Sequence, residues 1–497
     1  MIPHSILSAL EMFYRQPQTR AWKHTRPAQR IYMGLSLCIL LAVLAGCASS
    51  GTTSTSHPLD TSPKALPTNV AGSATVPTVK STDWITYHRD NTRTGYVANT
   101  PNPQQLARAW DAQLDASVYG EPLVVNGNVI VATEADSLYS LSASTGKVLW
   151  HTQVGNPQDQ TKLPCGDINP LGITSTPAYD SKTGLIFTVA EIAGPAHLLI
   201  GLDAQTGQVK VRRSADPNGI DPTPYQQRSA LLVANGYVYW ALGGLAGDCG
   251  NYKGTVIASR TNGQGPLLSY TVPTQREAGI WSTPGPVADA QGKIFVSVGN
   301  GAATQGTWDK SDSILRLSPT LQLEDSFAPA QWQTDNSRDF DLGSLGPVQL
   351  SNGIIFAAGK SSQGYTMHAN ALGGIGGQLH KAAVCQGLAM GGAATMATTV
   401  IVPCTGGLQQ IQVGNDGSMK LGWHAQQAVH MSPIIGGQTV YSLDDQGTLY
   451  ALDLATGKVR TQLALNITAI PHFETPTLSG NHIFVGTDTG IIAVKLS

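Results

Sequence analysis

Glutamate is scarce: seven residues in a chain of 497, against 54 glycines and 29 prolines. That ratio argues against a helical bundle. Charged residues make up only 12%, which excludes a disordered polyampholyte and a long coiled coil. No CxxC, HExxH, HxH or GxSxG occurs, so the usual zinc and serine-hydrolase signatures are missing. Basic charge is short as well. Without residues 1–46 the chain keeps 25 basic and 31 acidic side chains, a net charge near −6. Such a body has no polycationic footprint for nucleic acid.

No apolar run is long enough to span a bilayer. The longest, Met33 to Leu44, follows Arg15, Arg20, Lys23, Arg26 and Arg30. It reads as a secretory signal over residues 1–46. Its end, Leu44-Ala45-Gly46-Cys47, resembles the bacterial lipobox, which implies a lipid on Cys47 and export to a bacterial membrane. Residues 47–80 read as a flexible tether. Positions 48–80 hold thirteen Ser/Thr and four Pro and no aromatic residue, too little to bury a core. The body should then face the periplasm or the cell exterior as a monomer. Four cysteines remain in it, an even number that suits an oxidising compartment. Cys165–Cys249 and Cys385–Cys404 are the favoured pairs of three possible pairings.

From residue 81 the chain is a run of short β-type segments punctuated by Gly, Asn-Gly and Pro. The clearest unit has Pro122-Leu-Val-Val-Asn-Gly-Asn-Val-Ile-Val131, Leu138-Tyr-Ser-Leu141 and Ser144-Thr-Gly-Lys-Val-Leu-Trp150. It reads as four strands joined by tight turns. A second copy starts at Pro433, and Leu202-Asp-Ala-Gln-Thr-Gly207 marks another. The third-strand anchor recurs at Leu141, Leu202, Ala258, Leu317, Met367, Ile411, Leu452 and Val494. Eight four-stranded antiparallel units predict an all-β, eight-bladed β-propeller over residues 81–497. The eighth unit stops one strand short, and Leu106–Leu114 is a spare strand with Trp110 placed like Trp150. That strand is expected to complete the last blade. His88 and Arg89 are expected at an edge or on the surface rather than facing the channel. Gly353-Ile-Ile-Phe-Ala-Ala-Gly-Lys-Ser361 has five residues between its glycines, not four, and reads as a strand rather than a phosphate loop.

The unit Leu-Xaa-Ala-Xaa-Thr-Gly-Lys-Xaa-Leu-Trp at 141–150 resembles the pyrroloquinoline quinone (PQQ) repeat. The body is similar to the quinoprotein alcohol dehydrogenase-like superfamily, and Asp83–Tyr96 resembles the opening of many bacterial propellers of that kind. In this superfamily the Trp and the Thr-Gly turn lock neighbouring blades. Only the unit at 141–150 keeps both, with Val211 and Thr461 at the Trp position of two others.

The resemblance also implies where a cofactor site would lie. Glu191, twelve residues before Asp203, matches a Ca²⁺-binding Glu, and Asn300 a Ca²⁺-binding Asn. Trp281 matches the aromatic floor under PQQ. Lys360 stands where those enzymes put a cation on the quinone oxygens. Asp339 and Asp341 match the segment that carries the catalytic base. The adjacent Cys-Cys pair of many such enzymes is absent, and the body is shorter than usual for them. The superfamily includes enzymes and lipoproteins that only bind proteins. With these hallmarks eroded, the sequence favours a lipid-anchored binding or scaffold module for an envelope protein, a glycan or a small ligand. The alternative is a PQQ- and Ca²⁺-dependent dehydrogenase of an alcohol or sugar.

Overall fold

The computed structural model describes residues 79–426 and 429–497. Residues 1–78 lie outside this range, and with them the signal, Cys47 and nearly all of the tether. Among the described residues no helix is long and apolar enough to cross a membrane.

Eight sheets, each built on four antiparallel strands, form the eight blades, as the repeat predicted, and three of them carry an extra two-residue strand. Blade 1 shows the logic. Asn126 and Gly127 both take positive φ (55° and 84°), the geometry of a two-residue turn whose twist matches the flanking strands Leu123–Val125 and Asn128–Thr133. Ser137–Ser142 and Val148–Gln153 follow. All eight anchors fall on third strands. The other blades occupy residues 178–214, 232–271, 287–328, 348–383, 394–424 and 434–464. Blade 8 combines residues 477–496 with the strand Leu106–Gln113. That N-terminal strand pairs antiparallel with Gly490–Leu496, placing Trp110 opposite Ala493 and closing the ring. A short helix, Trp332–Ser337, interrupts the connection from blade 4 to blade 5 and was not expected.

Blades dock on one another through the Trp and the Thr-Gly turn. The pairing runs from the outer strand of one blade to the turn of the next. Trp110, Trp150 and Trp423 donate their indole N–H to Ala143 O (3.0 Å), Ala204 O (3.2 Å) and Leu454 O (2.8 Å). Each ring lies flat on a turn glycine, Gly146, Gly207 or Gly457. These glycines have φ near 70°, and a Cβ on any of them would lie 2.5–2.7 Å from the indole. Trp110 therefore seals blade 8 against blade 1. Where Val211 replaces the Trp, it packs on Gly263 of blade 3 by ordinary contact.

Residues 82–97 fill one end of the channel. The segment winds around the axis, bonding the first strands of the blades in turn. Thr82 O accepts from Ser479 of blade 8, and Trp84 exchanges two bonds with Val124 of blade 1. Ile85 O accepts from Tyr179, Asn91 O from Ala288, Thr94 O from Thr395 and Gly95 O from Ile435. Trp84, Tyr87, His88 and Arg93 are buried. This corrects the expectation for His88: it is 0% exposed, stacked on Tyr87, with its backbone N–H on Glu121. Arg89 is half-buried and bonds Tyr96 O and Ser81 O. A ring of eight sheets leaves an axial gap, and a polar segment can fill it only where blade edges offer backbone partners.

Both expected disulfides form, with Cα–Cα distances of 6.0 Å for Cys165–Cys249 and 5.5 Å for Cys385–Cys404.

Candidate functional site

The loops at the other end of the channel carry the site. Five of the six residues that the sequence pointed to for cofactor and catalysis converge there. Asp341 precedes the single turn Leu342–Ser344 and is buried, and its Oδ1 accepts the Asn300 backbone N–H at 2.5 Å. The Asn300 side-chain amide, oriented to satisfy its neighbours, also donates to this carboxylate. Lys360 Nζ stands 2.8 Å from both Asp339 and Asp341. It lies 5.6 Å from the centre of the half-buried Trp281 ring. The Asp341 side chain is 4% exposed and that of Asp339 is 48% exposed. Burial works against the Lys360 charge, but Asp341 and Asp339 outweigh it and raise the pKa. Burial, then Asp341, pushes the Asp339 carboxyl up, while Lys360 pulls it back.

Glu191 takes a different place. Its backbone N–H bonds Gly172 O on blade 2, as the Gly299 N–H bonds Gly279 O on blade 4, so the two positions are equivalent but two blades apart. Both Glu191 carboxylate oxygens are engaged. Oε1 accepts the Gln227 N–H at 2.7 Å, and Oε2 lies 3.6 Å from His197 Nε2. His197 Nδ1 is 2.6 Å from Asp216. Burial disfavours the imidazolium, yet Asp216 and Glu191 outweigh it and hold its pKa up to about 10. The raised value means this contribution to stability is complete below the ordinary histidine pKa of about 6.5. It is lost as pH climbs through about 10. Melting temperatures of the protein and a His197→Gln variant should differ most at pH 6 and converge by pH 10–11. Equal melting temperatures at pH 6 would refute the ion triad.

The residues fit a planar quinone better than they fit Ca²⁺. Trp281 offers an aromatic face with a cation beside it. The Ca²⁺ shell is not assembled: Glu191 is committed to Gln227 and His197, and the Lys360 ammonium already stands on both carboxylates near Asn300. Among the described residues no cluster of three His, Cys, Asp or Glu could hold a metal ion.

Sequence reading missed the rest of the mouth. Tyr119, Trp281 and Phe473 each stand three residues before a proline leading into a first strand, and Arg228 holds the matching place before blade 3. Phase-aligning the loops on Pro122, Pro284 and Pro476 was the available signal. Side chains from these separate blades meet over the axis. Phe473 lies 6.3 Å from Trp281, and the Arg228 guanidinium lies 4.9 Å from Phe473 and 6.0 Å from Tyr119. Two residues inward from Phe473 and Trp281, Thr475 and Thr283 bond the Tyr87 hydroxyl of the channel filling at 3.1 and 3.4 Å.

Fold and repeat together define an eight-bladed β-propeller whose repeats resemble the PQQ repeat. The family model described as outer membrane protein assembly factor BamB matches residues 102–313. The quinone alcohol dehydrogenase subunit of Gluconobacter oxydans is 26% identical over 264 residues, 44% of this chain and 33% of that protein. The 1-butanol dehydrogenase (cytochrome c) of Thauera butanivorans is 28% identical over 168 residues, 33% of this chain and 23% of that protein. The chain thus spans a third or less of the length of these curated relatives. Among solved structures, a europium-containing methanol dehydrogenase aligns with TM-score 0.64 at 14% identity, covering 84% of this chain and 98% of that one. BamB from Moraxella catarrhalis aligns at 0.51 and 15% identity, covering 79% and 98%. At these identities the structural likeness speaks for the fold alone. The curated relatives are dehydrogenases, and the comparisons do not support the binding or scaffold module favoured from the sequence.

Proposed function

We propose that this propeller binds a planar quinone of the PQQ class at its mouth and oxidises an alcohol. The observation that carries the reading is the convergence of Asp339, Asp341, Asn300 and Lys360 beside Trp281. Trp281 would hold the face of the quinone, and Lys360 its oxygens. When bound, the quinone supplies the two-electron acceptor. Asp339, the more exposed carboxylate with a raised pKa, accepts the hydroxyl proton of the substrate. Asp341 is the inner anchor: it fixes Lys360, and the Asn300 backbone N–H fixes Asp341 in turn. The lipobox-like end at Cys47 supports a placement at a bacterial envelope membrane.

Titrating the purified protein with PQQ tests the reading. Indole fluorescence should be quenched saturably at micromolar PQQ, with dye-linked oxidation of a primary alcohol appearing in parallel. A Trp281→Ala variant should lose at least tenfold in PQQ affinity. A flat titration of the unmodified protein would end the quinone reading.

A further inference from the structure

Arg228 lacks the counter-ion that a buried guanidinium normally has. It is 8% exposed. Arginine is seldom buried that far without an ionic partner, because stripping water from the charge costs several kcal/mol. Yet among the described residues no carboxylate lies within ion-pair distance of it. The guanidinium has five N–H donors. One nitrogen, Nη2, donates to His472 O at a long 3.3 Å. Nε is buried and meets no acceptor. The two acids nearest in electrostatic terms make no ion pair with it. Asp167 is half-exposed and lies 3.9 Å from His472 Nε2, an imidazole whose pKa burial and Arg228 lower to about 3. Glu134 accepts the Gly172 N–H, and burial pushes its carboxyl up to about 8, so it is mostly protonated at neutral pH.

The aromatic surroundings leave the cation stacked on Phe473 and turned to the same mouth as Trp281. We infer that Arg228 is a carboxylate-binding residue and that the ligand seated at Trp281 carries a carboxylate to it. The inference rests on the reading above in placing a ligand at Trp281. An incoming carboxylate would supply the missing counter-ion and the acceptor for Nε, in the planar fork geometry that arginine favours. That carboxylate could come from the quinone or from a hydroxy-acid substrate. The site recognises the same chemistry in either case.

Fluorescence titrations of the unmodified protein, Arg228→Gln and Arg228→Lys with PQQ, benzoate and benzyl alcohol test the inference, with melting curves to confirm folding. Benzoate should bind the unmodified protein at least tenfold tighter than benzyl alcohol. Arg228→Gln should collapse that ratio to near one, and Arg228→Lys should restore part of it. A tenfold loss of PQQ affinity in Arg228→Gln assigns the carboxylate to the cofactor. Unchanged PQQ affinity, with lost selectivity for benzoate over benzyl alcohol, assigns it to the substrate. Benzoate selectivity that depends on Arg228 in a protein that ignores PQQ would keep the carboxylate site and sink the quinone reading. Equal binding of benzoate by the unmodified protein and by both variants would overturn the inference.

Discussion

A chain that begins at Leu114 should not fold to a stable monomer. It loses the strand Leu106–Gln113 that completes blade 8, and the exposed Gly490–Leu496 edge becomes a template for association. It loses the Trp110 indole on the Gly146 turn, which locks blade 8 to blade 1. It also loses the channel filling, in which Trp84 and Tyr87 are at most 1% exposed. Removing one buried aromatic side chain costs about 3–5 kcal/mol. Two such losses, about 6–10 kcal/mol, are already comparable to the typical net stability of about 5–15 kcal/mol, and loss of the closing strand adds to them. Sedimentation and near-ultraviolet circular dichroism should show aggregated or loosely packed protein with no cooperative melt. A synthetic peptide of residues 79–113 added in trans should recover part of the melt. A truncated chain that melts as cooperatively as the intact one would refute both the closure and the role of the filling.

Lys360→Met should have the largest effect on activity. The substitution leaves Asp339 and Asp341 facing each other without the ammonium that stands 2.8 Å from each. Breaking a largely buried pair from one side costs about 3 kcal/mol, discounted here because Asp339 is half-exposed. The sign with pH follows. Burial and Asp341 already push the Asp339 carboxyl up, and without Lys360 to pull it back the penalty should be full at pH 8 and shrink at pH 5 as Asp339 takes up a proton. Turnover in the dye-linked assay should fall by about 10²–10³, the usual cost of removing a charged stabiliser from a reacting oxygen. Lys360→Arg should recover part of both losses. The same melting temperature for Lys360→Met and the unmodified protein at pH 8 would refute the ion-pair role.

Much of this was written in local sequence. Asn126-Gly127 dictates its turn because both residues tolerate positive φ. The alternation around Leu141 or Leu452 dictates a strand with one face against each neighbouring blade. Counting anchors therefore counted blades. The strand near Trp110 was legible as the missing eighth outer strand because its Trp sits in the same phase as Trp150. The docking of Trp423 on Gly457 was less legible. The Trp and its turn belong to different repeats, so reading each unit by itself hides the pair.

The site divides in the same way. Asp339 and Asp341 share one short loop, and each of the other residues is fixed near its own strand end. That Asn300, Lys360 and Trp281 meet them follows from adjacency of blades 4 and 5, which the repeat order already implied. Glu191 was matched by spacing alone, and spacing says nothing of whether His197 and Gln227 will occupy its oxygens. The sequence by itself determined the blade, the number of blades and the strand that closes them, because turn chemistry and strand alternation act within a few residues. Only the tertiary structure decided that residues 82–97 fill the axis, that Glu191 belongs to an ion triad and that Arg228 faces Phe473 without a counter-ion. Each of those outcomes depends on side chains separated by tens to hundreds of residues, brought together by closure of the ring and by no local preference.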